Sequence, residues 1–318
     1  MTASPPARRA ALAGGQPVPG RPGPGRRLRL AGRWASAVIR TARPRQWPKN
    51  LLVLAAPLAA AAQGRDDGVG YALVAVAAFT AASCAVYFVN DVLDASRDRL
   101  HPVKCRRPVA AGDLPPAQAL ALGGIAGVVA LAAGLVAAVP WLTVTVAAYL
   151  AISFLYSVRL KHVPVLELAC VASGFVLRAL GGAAATRLPP SGWFLAVCGL
   201  GALMVAVAKR RGELARLGPG VTAHRPVTRW YSRRALGIAG RAIAAGVVIA
   251  YALWASSTGT AARQAWHLAS AVPLAVALAR FDWLAGRRAG QPVEDLIAAD
   301  PVMGATELAW LVLFVLGI

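Results

Sequence analysis

Acidic residues are scarce in this chain. Its 318 residues include 13 Asp and Glu against 34 Lys and Arg, and charged residues of both signs make up only 15%. Hydrophobic residues supply 58%, and the mean hydropathy is +0.57. Soluble globular domains carry about 25% charged residues, so the composition excludes that class and predicts an integral membrane protein. In so apolar a chain, the net charge of +21 indicates membrane topology rather than nucleic-acid binding.

Closely spaced cysteine pairs and the common nucleotide-binding and hydrolase motifs are also lacking. No C-x-x-C pair occurs, so the sequence indicates neither a disulfide framework nor a zinc site. A P-loop, a G-x-S-x-G elbow and a complete dinucleotide fingerprint are absent as well. The histidines are isolated from one another, and we interpret His101 and His162 as packing or hydrogen-bonding residues. The four cysteines are Cys84, Cys105, Cys170 and Cys198.

Apolar runs recur along the whole chain. Their length is close to the roughly 20 residues that cross a bilayer as a helix, which favours an all-α membrane protein over a barrel. We therefore expect a bundle of about nine transmembrane helices. The predicted spans are 48–63, 69–91, 116–137, 140–157, 164–184, 191–209, 235–256, 265–281 and 302–318.

The basic residues are distributed asymmetrically over these nine spans. The N-terminal segment and the connections after the even-numbered spans hold 29 Lys and Arg, whereas the opposite side holds three, Arg65, Arg187 and Arg263. By the positive-inside tendency, the N-terminus is cytoplasmic and the C-terminus lies outside. The sequence therefore predicts a multi-pass protein of the cell membrane.

The N-terminal segment differs in composition from the rest. Residues 1–33 are rich in Pro, Gly, Ala and Arg and contain no acidic residue, which predicts a disordered basic arm before a membrane domain at 34–318. Residues 34–49 resemble an interfacial segment. Its last residue, Lys49, lies at the mouth of the first span, where it is either a ligand contact or a plain membrane anchor.

The most informative stretch is 90–108, directly after the second span. If the helix continues through it, Asp91, Asp94 and Asp98 lie at i, i+3 and i+7, on one face, with Asn90 at its margin. Carboxylates together with substrate phosphate oxygens suit Mg²⁺. The alternative is an ordinary solvated charged loop, although charge at the mouth of a membrane helix is costly without a partner. The bases that follow, expected to meet phosphate, are Lys104, Arg106 and Arg107.

Two further polar stretches interrupt the apolar pattern. In 156–167, Tyr156, Lys161 and Glu167 gather around a proline, and Arg178 lies three helical turns after Glu167. An intramembrane arginine predicts a polar cavity with a carboxylate or a phosphate, or else a structural Glu–Arg pair. At the end of the sixth span, two bases either join a phosphate-binding rim or serve as positive-inside anchors. They are Lys209 and Arg210.

These motifs resemble those of the UbiA-type intramembrane prenyltransferase superfamily. The N-D-x-x-D-x-x-x-D of residues 90–98, followed by bases and R-P, is similar to its first aspartate-rich motif, whereas only Glu167 stands near the place of the second. The joint pattern is similar to one branch, the actinobacterial decaprenyl-phosphate phosphoribosyltransferases, although that branch usually has an aromatic residue at the place of Arg211. The stretches that carry this likeness are RPRQWPKNLLVLAAPLAA, NDVLDASRDRLHPVKCRRP, LKHVPVLELACVASGFVLRALGG and KRRGEL.

The resemblance implies a fold and a reaction. The fold is a nine-helix bundle around a central cavity open to the cytoplasm, with Mg²⁺ binding a diphosphate. The reaction moves 5-phosphoribosyl from phosphoribosyl diphosphate to a polyprenyl (decaprenyl) phosphate and releases diphosphate, for cell-wall arabinan precursors. One alternative is a prenyltransferase that moves an isoprenoid from its diphosphate to an aromatic or other small acceptor. Another is a lipid-linked sugar flippase or transporter.

The resemblance also assigns roles to residues. It implies catalytic roles for Asn90, Asp91 and Asp94, and Mg²⁺ ligation by Asp91, Asp94 and Asp98. The expected partners are the two substrates and the membrane, with no nucleic acid, and a homo-oligomer is left open. The expected substrate-binding residues are Lys49, Lys104, Arg106, Arg107, Tyr156, Lys161, Glu167, Arg178, Lys209 and Arg210.

Overall fold

The computed structural model describes residues 24–61, 69–187, 189–217, 226–257, 259–288 and 293–317. Within these ranges the regular structure is entirely helical, as the apolar runs predict. Short 3₁₀ segments occur at Pro44–Leu54, Lys104–Arg106, Leu160–His162 and Pro226–Trp230. The α helices are α1 Pro24–Ala42, α2 Ala55–Ala61, α3 Val69–Leu93, α4 Ala95–Arg99, α5 Pro108–Ala111, α6 Pro116–Val136, α7 Pro140–Val158, α8 Leu166–Ala185, α9 Gly192–Leu217, α10 Arg233–Ser256, α11 Ala261–Arg287, α12 Val293–Ala298 and α13 Pro301–Leu316.

Seven of the described helices are long and apolar enough to cross a membrane. They are α3 and α6 to α11, and they correspond to seven of the nine predicted spans. The ninth span corresponds to α13, which has 16 residues and is about 24 Å long at the helical rise of 1.5 Å per residue. The multi-pass membrane architecture is therefore confirmed, while the count of nine remains a prediction.

The first predicted span, 48–63, is not a continuous α helix. Its described residues, 48–61, belong to the 3₁₀ segment Pro44–Leu54 and to α2, which follows it. Pro48 lies inside the 3₁₀ segment and has no N–H to donate, so a regular α ladder cannot form there. The segment lies against α8, where a Cβ on Gly182 would stand only 1.8 Å from the Val53 carbonyl oxygen. At the rises of a 3₁₀ and an α helix, the two pieces together extend about 32 Å, close to the thickness of a bilayer core.

The first described helix begins within the predicted N-terminal arm. Helix α1 begins at Pro24, so residues 24–33 of the predicted disordered arm are helical, whereas 1–23 and Arg65 lie outside the described residues. The helix is tied to the start of α6, since the Trp34 indole N–H donates to Gln118 Oε1 at 2.7 Å. Arg40 pairs with Asp113 at 2.8 Å. These contacts are consistent with the predicted interfacial segment.

The helices form two packed groups with α8 between them. Phe79, Leu142 and Val146 are among the buried residues that join α3 to α6, α7 and α8. A second core joins α9, α10, α11 and α13, with Met204 and Leu284 at its centre. Because successive long helices run antiparallel, the end of α3, the α7–α8 connection, the end of α9 and the start of α10 meet at one end of the bundle, here called the site end.

Candidate active site

The aspartate-rich stretch at the end of α3 keeps its helical register. The α helix is interrupted at Asp94, but the Asp94 N–H still donates to the Asn90 carbonyl at 2.9 Å, and the Asp98 N–H donates to the Asp94 carbonyl at 2.8 Å. These i to i−4 bonds preserve the spacing on which the predicted carboxylate face depends. The local geometry of residues 90–98 therefore agrees with the sequence prediction.

Asp91 and Asp98 form a buried pair of carboxylates. Their residues are 2% and 4% exposed. The Arg107 guanidinium joins them, with Nη1 at 2.7 Å from Asp98 Oδ2 and 3.4 Å from Asp91 Oδ1. Arg43 also donates to Asp91 and lies over the Tyr87 ring at 4.9 Å. Two carboxylates and two guanidinium groups thus balance in charge inside a region from which water is mostly excluded.

Arg43 holds a strained backbone conformation. Its φ of 53° and ψ of 63° lie in the left-handed region, which costs about 1–3 kcal/mol for a residue other than glycine. This conformation ends α1 and starts the 3₁₀ segment, and it brings the guanidinium to Asp91. From the sequence, Arg43 is predicted only as part of the interfacial segment.

Asp94 does not join the other two carboxylates. Its side chain is 30% exposed and accepts from Lys161 Nζ at 2.9 Å, so it faces the α7–α8 connection. A helix advances 100° per residue, and Asp94 is therefore about 60° away from Asp91 on the helical wheel. Across the described ranges, no three His, Cys, Asp or Glu side chains converge on one point. The predicted triad is thus one pair, Asp91 and Asp98, and one separate carboxylate.

The pair nevertheless suits a divalent cation. Mg²⁺ is usually held by one or two protein carboxylates together with water and substrate phosphates, so a third aspartate is not required. Next to Asp91, the Oδ1 atom of Asn90 is buried and has no hydrogen-bond partner among the described residues. An amide oxygen, like a carboxylate oxygen, is a hard donor of the kind that Mg²⁺ prefers.

The loop after α4 places the predicted phosphate-binding bases. His101 fixes it, because Nδ1 accepts the backbone N–H groups of Val103 and Lys104, each at 3.2 Å. This confirms the hydrogen-bonding interpretation of His101. Arg106 is exposed, whereas Arg107 turns inward to the aspartates.

Lys104 has an altered basicity. Partial desolvation lowers the pKa of its ammonium although the side chain still contacts solvent, and the nearby positive charge of Arg107 lowers it further. Asp98, Asp94 and Glu213 oppose the shift, which shows that Lys104 lies within electrostatic reach of all three carboxylates. The charge of Glu213, which belongs to a second charged cluster, therefore favours the protonated form of Lys104, as the aspartates do.

This shift gives a pH prediction. A lowered pKa means that Lys104 loses its proton at a lower pH than an ordinary lysine, so its attraction for an anionic substrate weakens early as the pH rises. Arginine keeps its charge above pH 12. We expect Lys104→Arg to flatten the alkaline rise in KM for an anionic substrate, as measured by initial rates between pH 7 and 10. An unchanged alkaline limb in Lys104→Arg would show that another group titrates there.

The second cluster links α8 to α9. Glu167 in the first turn of α8 is fully buried, and its Oε2 accepts from Arg210 Nη2 at 2.5 Å. Arg210, 4% exposed, also pairs with Glu213 one turn further along α9. Arg210 therefore lies within the bundle, where a positive-inside anchor would not be. The predicted alternative of a Glu167–Arg178 pair is wrong, because each of the two has other partners.

Arg178 is buried among neutral groups. It donates to Asn50 Oδ1 at 2.8 Å, to the Gly174 carbonyl at 2.8 Å and to Ser83 Oγ at 3.1 Å. It also donates to the Tyr149 hydroxyl at 3.2 Å and lies over that ring. The sequence predicted a carboxylate or a phosphate here, and within the described residues no carboxylate contacts the guanidinium. Arg178 thus ties the 3₁₀ segment to α3, α7 and α8.

The other predicted residues lie at the same end of the bundle. Lys49 donates to Gln46 in the 3₁₀ segment, Tyr156 is partly buried on the last turn of α7, and Lys209 is exposed on α9. Arg211, which departs from the branch pattern, pairs with Asp282 of α11 at 2.7 Å.

Comparison with known proteins identifies the family. The model of the UbiA prenyltransferase family matches residues 50–293, most of the chain. The chain belongs to this family. The UbiA fold is also visible in solved structures: a UbiA homolog from Archaeoglobus fulgidus bound to GPP and Mg²⁺ aligns with a TM-score of 0.63 and 16% identity, over 88% of this chain and 98% of that one. The same homolog is known bound to Cd²⁺, with a TM-score of 0.63 and 15% identity over 88% of this chain and 97% of that one.

Three curated relatives, which are more similar in sequence than the solved structures are, carry the same enzyme name. The decaprenyl-phosphate phosphoribosyltransferase of Mycolicibacterium smegmatis is 36% identical over 87% of this chain and 90% of its own length. The enzyme of that name from Mycobacterium tuberculosis is 37% identical over 87% and 92%. The Corynebacterium glutamicum enzyme is 35% identical over 89% and 87%.

Proposed function

We propose that this UbiA-family enzyme transfers a 5-phosphoribosyl group from phosphoribosyl diphosphate to a polyprenyl phosphate. The observation that carries the proposal is the likeness to decaprenyl-phosphate phosphoribosyltransferases along nearly the full length of both chains, at 35–37% identity. The surplus of bases around the buried aspartates supports it, because the donor carries one more phosphate than a prenyl diphosphate does.

The reaction needs little acid–base catalysis. The acceptor phosphate is already an anion, and one of its oxygens attacks the anomeric carbon as the bond from that carbon to the diphosphate oxygen breaks. The diphosphate leaves with the bonding electrons, so the site must stabilise the negative charge that develops on it. Side chains that supply positive charge and orientation are therefore more important here than a strong base.

The aspartates are assigned to metal and diphosphate binding. Asp91 and Asp98, with the Oδ1 of Asn90, would hold Mg²⁺, and Asp94 would orient Lys161. When bound, Mg²⁺ supplies positive charge against the leaving diphosphate. The carboxylates are paired with Arg43, Arg107 and Lys161. The same bases are thus beside the proposed position of the donor.

Other bases are assigned to the remaining phosphate groups. Lys104 is exposed in the loop that follows the aspartates, and we assign it to the 5-phosphate of the donor. Arg210 and Lys209 on α9 are proposed to add to this positive rim, and Lys49 to close it from the 3₁₀ segment. Arg178 acts indirectly, by holding Asn50 and hence the 3₁₀ segment in place.

The proposed membrane orientation rests on the unequal distribution of Lys and Arg between the two sides. With 29 Lys and Arg on one side of the nine predicted spans, we place the site end and the N-terminus in the cytoplasm, where phosphorylated metabolites and Mg²⁺ occur. In this orientation the lipid acceptor arrives from the membrane and the soluble donor from the cytoplasm, through a cavity open to that side. The product would be a precursor of cell-wall arabinan.

A substrate comparison tests the proposal. Detergent-purified protein receives either phosphoribosyl diphosphate with decaprenyl phosphate, or a prenyl diphosphate with an aromatic acid, and Mg²⁺-dependent pyrophosphate release is measured. We expect turnover with the first pair and none with the second. Turnover with the second pair alone would establish a prenyltransferase, and transport of a lipid-linked sugar without pyrophosphate release would establish a flippase.

A further inference from the structure

An apolar groove runs along the outside of α8, α9 and α10 and ends at the candidate active site. It encloses about 800 Å³ and is lined by aliphatic side chains of the three helices together with Tyr231. On α9 it extends from Leu195 to Val207, about 18 Å at the helical rise. An elongated apolar ligand could thus lie along the helix axes, inside the part of the protein that faces the bilayer.

The groove is open because many of the side chains that line it are small. Ala169 and Ala172 on α8, Ala196 and Gly199 on α9, and Ala239 on α10 leave room between the larger leucines and valines. Small side chains normally allow helices to approach closely and to fill the space between them. Here the three helices leave a groove over these residues instead. The space is therefore built into the sequence of all three helices.

The groove becomes polar only at the site end. There the Tyr231 hydroxyl accepts the Val165 N–H at 2.7 Å. Burial raises the pKa of this phenol, and the charge of Glu167 raises it further, so the hydroxyl keeps its proton. Arg233 and Arg234 follow Tyr231 at the start of α10. An apolar groove with a neutral hydroxyl and bases at one end complements a lipid that has an anionic head.

A strained turn connects this end of the groove to the aspartates. Val165 has a φ of 65°, and the Leu166 N–H donates to the Pro164 carbonyl at 2.7 Å, which defines a γ-turn of the rare kind with positive φ. Such a turn is costly for a β-branched residue. The turn places Val165 in the groove. Lys161, four residues earlier, pairs with Asp94, and Glu167, two residues later, pairs with Arg210.

We propose that this groove binds the isoprenoid chain of the polyprenyl phosphate acceptor, with its phosphate at the Tyr231 end beside Lys161 and Arg210. The inference rests on the proposed function and adds the position of the acceptor to it. It implies that the lipid enters between α8 and α10 and that the soluble donor approaches from the opposite side of the Lys161–Asp94 contact.

Photocrosslinking tests the groove directly. Protein in nanodiscs is irradiated with a polyprenyl phosphate that carries a diazirine in its chain, and the labelled peptides are identified by mass spectrometry. We expect adducts concentrated on 165–172, 195–207 and 235–243. A diazirine phosphatidylglycerol should label the lipid-facing surface without this preference. Equal labelling of the groove by both probes, or adducts of the isoprenoid elsewhere, would overturn the proposal.

Substitutions that fill the groove provide the second readout. Ala169→Phe and Ala239→Phe place a ring in the groove at positions that are not fully buried, so the helix core is kept. We expect each to reduce the isoprenoid adducts and to raise KM for decaprenyl phosphate about tenfold, with KM for phosphoribosyl diphosphate unchanged. Ala147→Phe, the same change on an exposed position of α7, is the matched control.

The two readouts separate the two proposals. If the protein released no pyrophosphate with any acceptor, the proposed function would fail, while the adduct positions would still report whether a polyprenyl phosphate occupies the groove. If activity were normal in Ala169→Phe and Ala239→Phe and their adducts persisted, the groove assignment alone would fail.

Discussion

Asp91→Asn and Asp94→Asn are each expected to abolish turnover while the protein still inserts and folds. Asparagine keeps the shape of the side chain and removes its charge. At Asp91, which is 2% exposed, this removes a buried carboxylate that pairs with Arg43 and Arg107. At Asp94 it weakens the 2.9 Å contact with Lys161. We expect pyrophosphate release to fall by at least about 100- to 1,000-fold, the range for the loss of one preorganised electrostatic contact.

Asp113→Asn is the matched control for these variants. Asp113 also pairs with an arginine, Arg40 at 2.8 Å, but it lies on the α1 contact away from the candidate active site. We expect near-normal pyrophosphate release from it. Gel filtration of all three variants checks folding. Near-normal release by Asp91→Asn and Asp94→Asn would refute the assignment of the aspartates.

The long helices were predictable because their signal is local. Apolar runs of bilayer length give the same spans whatever their neighbours are, and α3, α6, α7, α8 and α10 begin or end within about two residues of the predicted bounds. The carboxylate face of Asp91 and Asp98 was predictable for the same reason, since it depends only on the period of one helix.

The first span was less predictable because two effects compete there. Its apolar composition predicts a helix, whereas Pro44 and Pro48 exclude a regular one, and the outcome depends on the close contact between Val53 and Gly182 of α8. A contact over such a separation in sequence leaves no periodic signal.

The partners of the buried charged side chains could not be predicted from the sequence either. Glu167 and Arg178 share a helical face, yet Glu167 binds Arg210, 43 positions away, and Arg178 binds Asn50, 128 positions away. Arg43 and Tyr231 were missed for the same reason. A local signal existed for the backbone of Arg43, because a residue before a proline is sterically disfavoured in a helix. Nothing local indicates the contact of its side chain with Asp91.

Arg210→Met is expected to destabilise the protein strongly. Glu167 is fully buried, and Arg210 is its charged partner at 2.5 Å, so the substitution leaves a carboxylate in a region of low dielectric constant. Removal of one member of a buried ion pair costs about 3–5 kcal/mol. We expect a lower midpoint of thermal unfolding in detergent, measured by the intrinsic fluorescence of tryptophan.

The double variant Glu167→Gln/Arg210→Met should recover most of that loss, because it removes both charges and keeps the volume of the side chains. Arg211→Met is the matched control: Arg211 is the next residue on α9 and pairs with Asp282, but the side chains of that pair are 19% and 18% exposed, so water screens the carboxylate that remains. Its unfolding midpoint should fall less. If the double variant were as unstable as Arg210→Met, the instability would come from lost packing around Arg210 and not from the unpaired charge of Glu167.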